Sequence, residues 1–166
     1  MAPLIELHPN AAAPASSNGA RYDHVVVSND HLPCIKFDPT TDQSCAWTCR
    51  LPRTPSGTIT VSLVGIMASA TANSVRAQVQ IGAYTPGDST DLDTTFSLDT
   101  ADSGGATCPG TAGYPFEITF TLTHVDSWAA GDQILVRLNR DADQTSGTDD
   151  AVGDWCLTGG LISDAA

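Results

Sequence analysis

The sequence predicts an all-β protein: an antiparallel β-sandwich of eight to nine strands, jelly-roll-like, with an extended N-terminal arm. Three observations predict it. Short runs alternate apolar and polar residues with period two, the mark of strands buried on one face. Clusters of Gly, Pro, Asn, Asp and Ser separate these runs every ~10 to 20 residues. Of the 19 acidic residues, 17 are Asp, which forms turns readily and helices poorly. No stretch reads as a long helix. At 166 residues the chain is long enough for one domain with a sizeable core.

Residues 1–20, MAPLIELHPNAAAPASSNGA, are rich in Ala, Pro, Ser and Asn and have little periodicity. They read as an extended arm ahead of a sandwich domain over 21–166. Leu4 and Ile5 give the arm's tip something to bury on a partner, with Leu7 and Tyr22 as further contacts. Tyr22 to Val27 is a short strand. Cys34 to Phe37 is another, closed by Asp38-Pro39. Cys45 to Leu51 follows, with Cys45, Trp47 and Cys49 on one face, and Pro52 and Pro55 end it. Thr58 to Met67 is a long strand with Ile59, Val61 and Leu63 inward, and 68–73 turns. Ser74 to Tyr84 sets Val75, Ala77, Val79 and Ile81 against Arg76, Gln78 and Gln80. After the acidic loop 85–93, Thr94 to Thr100 is a shorter strand around Phe96 and Leu98, and 102–113 is a Gly-rich loop.

The best-patterned stretch is Tyr114 to Arg140. Phe116, Ile118, Phe120 and Leu122 alternate with Glu117, Thr119, Thr121 and Thr123. Ile134, Val136 and Leu138 then alternate with Arg137 and Asn139. With Gly131-Asp132 as a turn signal, this reads as two antiparallel strands of one sheet. Val152 to Ile162 closes the domain, with Trp155, Leu157 and Leu161 on one face.

The formal net charge is −12 and Lys36 is the one lysine. That excludes a basic nucleic-acid face and a polybasic membrane anchor. No apolar run is long enough to span a membrane as a helix. The first 20 residues hold no Lys or Arg, unlike a signal peptide, so a cytoplasmic origin is expected.

No catalytic or cofactor motif is present. His8, His24, His31 and His124 form no HExxH, and there is no GxSxG, no phosphate-cradling loop and no dinucleotide fingerprint. No enzyme activity and no cofactor are expected. Cys45 and Cys49 lie roughly 13 Å apart if both are on one strand, too far to share a zinc ion. The five cysteines (34, 45, 49, 108 and 156) are expected as mostly buried free thiols, although a disulfide from Cys34 or Cys108 stays open. Asp141, Asp143, Asp149 and Asp150 faintly suggest calcium, but the twelfth position from Asp141 is Val152, not an acid. Arg140 is positioned to brace that turn through Asp141. Trp47 and Trp155 read as core. Trp128 is the one tryptophan that could take a surface role, although capping the end of the sandwich is the favoured reading.

FDPTTDQSCAWTCRLP (37–52), TITVSLVGIMAS (58–69), PGTAG (109–113) and AAGDQILVRLNRDAD (129–143) resemble segments of small virion proteins of tailed bacteriophages, in which an arm precedes a jelly-roll-like sandwich. The resemblance covers residues 20–162. It implies a capsid decoration, or cement, protein: a homotrimer on the virion surface, assembled in the host cytoplasm, that binds the major capsid protein and stabilises the head. The second reading is a tail-fibre or receptor-binding module that recognises a host-surface glycan, with Trp128 or Tyr114 as stacking residues.

Overall fold

In the computed structural model, which describes residues 1–69, 72–94 and 96–165, the strands are β1 (Ala2–Leu7), β2 (Ala13–Pro14), β3 (Arg21–Val27), β4 (Asp30–Phe37), β5 (Gln43–Arg50), β6 (Ile59–Met67), β7 (Ser74–Tyr84), β8 (Asp102–Thr107), β9 (Pro115–Leu122), β10 (Gln133–Arg140) and β11 (Trp155–Asp164). A single 3-10 turn at Pro9–Ala11 is the one helical element among the described residues. The strands form two antiparallel sheets of six and five, a β-sandwich. The first sheet runs β3-β4-β11-β6-β9, with β1 also on β11. The second runs β2-β5-β10-β7-β8.

The alternating pattern does what its period demands. On β6, Ile59, Val61, Leu63 and Met67 are buried; on β7, Val75, Ala77, Val79 and Ile81; on β10, Ile134, Val136 and Leu138. These residues meet between the sheets in one core that includes Trp47 and Trp155. Phe37 stacks on Trp155 at 5.1 Å between ring centroids, a spacing suited to offset aromatic contact.

The N-terminus departs from expectation. Residues 1–20 are not an extended arm. β1 pairs with β11 from Ala2↔Asp164 to Leu7↔Gly160, and β2 pairs with β5, so this segment crosses from one sheet to the other. Its polar groups are used on the way, since the Trp47 indole N–H donates to the His8 carbonyl at 2.8 Å. Leu4, Ile5 and Leu7 are buried in the chain's own core.

Among the described residues the strands number eleven rather than eight or nine. β9 and β10 are not a hairpin: β9 pairs with β6 in the first sheet, and β10 lies between β5 and β7 in the second. The connector from 123 to 132 passes from one layer to the other. Within it, Asp102 accepts the backbone N–H groups of Thr123 and His124 at 2.7 and 2.9 Å and the Thr123 hydroxyl at 2.6 Å. The expected Gly-rich loop holds β8. Gly104 is required there because a Cβ would lie 2.4 Å from the Phe120 ring. The segment expected as a strand at 94–100 has no strand at 96–100, and Thr95 lies outside the described residues, as do 70 and 71 of the expected 68–73 turn.

Candidate functional site

On the second sheet the residues between the core positions of β5, β7 and β10 face outward. Register aligns them in rows. Asn139 lies between Ser44 and Gln78, Arg137 between Ala46 and Gln80, Leu135 between Thr48 and Gly82, and Gln133 between Arg50 and Tyr84. Ser44, Asn139 and Gln78 from one row, with Arg137 and Gln80 from the next, are the floor of a groove of about 650 Å³, inside the range of small-ligand sites.

One wall is the segment 15–18 together with Asp42. It is held against β5 by three backbone bonds at Ser44: Ala15 and Ala20 N–H donate to its carbonyl at 3.1 and 3.0 Å, and its own N–H donates to Asn18 at 3.0 Å. The next row, beyond Gln80, is apolar at Leu135 and Gly82. Gly82 has no side chain, and Phe96 and Leu98 lie over it, so a Cβ there would meet the Phe96 ring at 2.5 Å. Phe96 is edge-on to Tyr84 at 5.7 Å. The Asp99 N–H to the Ile81 carbonyl, at 2.8 Å, pins that segment to β7.

The polar groups of the floor are largely uncommitted. Gln80 donates its amide to the Asp99 carbonyl at 3.2 Å, which leaves its own oxygen as an acceptor. Arg137 reaches the Ser44 hydroxyl at 3.4 Å, at the long end for a hydrogen bond. The amides of Gln78 and Asn139 have no partner among the described residues. An amide both donates and accepts, and a guanidinium donates in a planar fork. The groove therefore presents both halves of the hydrogen-bonding code that a polyhydroxylated ligand carries.

Asp42, Asp141 and Asp143 bring carboxylate oxygens within 4.8 Å of one another beside this groove. The buried member is committed elsewhere. One Asp141 oxygen accepts from Thr145 N–H and hydroxyl at 3.1 and 2.9 Å. The other accepts from Ser146 N–H at 2.8 Å and from the Ser146 hydroxyl. Burial would raise the Asp141 carboxyl, but the bonds from Ser146 and Thr145 outweigh it and hold it below the ordinary carboxylate value. The trio braces a turn, and a cation there would compete with four donors. Arg140 does not pair with Asp141. Its guanidinium is fully buried and forks onto Asp149 at 3.0 and 2.7 Å.

Of the expected contact residues, Leu4, Ile5 and Leu7 present no surface to a partner, and Tyr22 is exposed on the edge strand β3, away from the groove. Trp128 is 5% exposed and packs in the core. Its burial agrees with the favoured reading of it as a cap on the end of the sandwich and leaves it no surface role. Tyr114 is exposed just before β9, in the other sheet. All five cysteines are free thiols, buried except for the half-buried Cys49. Sequence reasoning missed Ser44, Gln78, Gln80, Arg137 and Asn139 as a group. The outward polar phase of each strand was the one signal that marked them.

No protein-family model and no curated protein matches the chain. Solved structures do match, over almost its whole length. One is a family 35 carbohydrate-binding module from Cellvibrio japonicus Abf62, with a TM-score of 0.54 at 10% identity, covering 98% of this chain and 94% of that one. Another is a family 6 module from Clostridium stercorarium in complex with cellobiose, with a TM-score of 0.53 at 13% identity, covering 98% and 95%. A xylan-binding domain of family 22 matches with a TM-score of 0.53 at 12% identity, covering 99% and 96%. The chain has the β-sandwich fold of these modules.

This overturns the resemblance to bacteriophage virion proteins. With it go the capsid decoration role, the major capsid protein as partner and the homotrimer on the head. The physical reason is that the quoted segments, a Trp-bearing strand closed by Leu-Pro and a Gly-Asp turn opening a strand, are what any two-sheet sandwich uses to begin and end strands. They do not distinguish one sandwich family from another.

Proposed function

We propose that the protein is a non-catalytic carbohydrate-binding module that takes an oligosaccharide in the outward groove of the second sheet. The observation that carries this reading is the in-register set of polar side chains, Ser44–Asn139–Gln78 and Arg137–Gln80, between a backbone-tethered wall and an apolar end at Phe96 and Tyr84. Sugar hydroxyls donate and accept together, which suits amides and a guanidinium set side by side. Sugar rings also carry apolar C–H faces, which suit an aromatic boundary. The matched modules lend support, since one is described as xylan-binding and another is bound to cellobiose. Glycan recognition was also the second reading of the sequence, with its stacking residues at Trp128 or Tyr114. Here it moves to side chains of three central strands.

Calorimetric titration with a panel of soluble plant, bacterial and algal polysaccharides tests the proposal. At least one should bind, and Asn139→Ala and Gln78→Ala should each weaken it by about 10-fold, as expected for one lost hydrogen bond of ~1–1.5 kcal/mol. Both side chains point away from the core, so the variants should fold. No binding across the panel would sink the proposal. Binding that both variants leave intact would place the ligand elsewhere on the sandwich.

A further inference from the structure

Seven cationic side chains serve a chain of net charge −12, and six have other places or tasks. Lys36 pairs with Asp23 and Asp154. Arg53 forks onto Asp164 at 2.6 and 2.7 Å, and Arg140 onto Asp149. Arg76 is tied to the hydroxyls of Ser103 and Ser146, and Arg50 to the Gly131 carbonyl. Arg21 lies on the edge strand β3. Arg137 alone among the described residues stands exposed in the groove, with one long bond to Ser44 and no carboxylate partner.

Its neighbours on the sheet sharpen the point. Ala46 is directly opposite Arg137 on the β5 side, and its methyl group offers the guanidinium no hydrogen-bond partner. Gln80 is opposite on the β7 side, with its amide already donated to Asp99, and Asn139 is two residues along β10, so the Asn139 amide is the donor beside the same space. A planar fork with an amide donor beside it matches a planar carboxylate, which accepts two parallel N–H bonds. An acidic protein that holds a guanidinium without a carboxylate partner in its groove gives an anionic ligand one favourable place to land against an otherwise repelling surface.

We propose that the groove's ligand is an acidic oligosaccharide, with the carboxylate of a uronic acid residue held by Arg137. This rests on the groove being a glycan site. The test uses one backbone in two charge states: oligogalacturonides of equal length, either free acids or fully methyl-esterified, titrated into the intact protein. A sulfated galactan oligosaccharide of matched charge forms a third arm.

The free acid should bind about 10-fold or more tightly than the ester, the range of a charge-assisted fork, and its affinity alone should fall as salt rises. Arg137→Gln should close the gap between acid and ester. Arg137→Lys should keep only part of it, because an ammonium is a point charge without the fork. Asp42→Asn, which removes the groove's own carboxylate, should tighten the acid. Equal affinity for acid and ester, with binding still weakened by Asn139→Ala, would overturn this inference and leave the groove as a neutral-sugar site. A sulfated ligand bound as tightly as the free acid would overturn the carboxylate assignment. No binding by any arm or by the wider polysaccharide panel would overturn both this inference and the groove reading.

Discussion

Single buried charges set how the loops of this sandwich are held. Arg140 is fully buried, and its fork onto Asp149 is completed by the carbonyls of Gly153 and Ala151 at 2.8 and 2.7 Å. Every donor that matters is matched, which is what makes a charge tolerable in a core. Asp102 does the same work for the crossing between sheets. Burial would raise its carboxyl, but bonds from Thr123 and His124 outweigh that and hold it below its ordinary value; Asp141 behaves alike.

Both carboxyls therefore bind a proton less readily in the folded protein than in the unfolded chain, where the value is about 3.9. Their contribution is intact above that value and is lost as pH falls through the depressed folded values. Urea unfolding followed across pH should show an acid limb below about pH 4. Asp102→Asn should be less stable at neutral pH and have a shallower acid limb. An acid limb as steep as the wild type's would show that Asp102 does not contribute to it.

At the scale of elements, the identity of most strands was legible and their partnership was not. Ser74 to Tyr84 was read with its observed limits, and Ile118, Ile134, Val136 and Leu138 were read inward and are buried. Period two reports which face of a strand is wet. It does not report which sheet the strand joins, and that is why β9 and β10 looked like a hairpin. β8 was hidden for another reason: Gly104 is there for the Phe120 ring, a tertiary demand that composition reads as a loop. β1 was hidden because it is short and lies among Ala and Pro. The groove was least legible of all, since Ser44, Gln78 and Arg137 come from three separated strands and share no local motif.

β1 also changes what its residues are expected to do. Leu7 is a fully buried side chain in the chain's own core, so Leu7→Ala should cost about 2–5 kcal/mol in urea unfolding. An unaltered midpoint would mean that the N-terminal segment is a free arm after all.

At the scale of the molecule, the sandwich separates its tasks. The space between the sheets holds both tryptophans first read as core, and Trp128 as well. The loops carry most of the acidic charge and spend it on backbone N–H groups. The outward face of the second sheet keeps amides and one guanidinium largely unspent, on strands whose central position in the sheet makes them rigid. That division is the central claim, and residue-resolved NMR of the intact, isotope-labelled protein tests it most directly. On titration with the oligosaccharide that binds best, amide and side-chain shifts should concentrate at Ser44, Gln78, Gln80, Arg137 and Asn139 and along the 15–18 wall, with the first sheet's outer face unmoved. Shifts confined to the first sheet, at Glu117, Thr119 or the Tyr22 edge, would contradict the account.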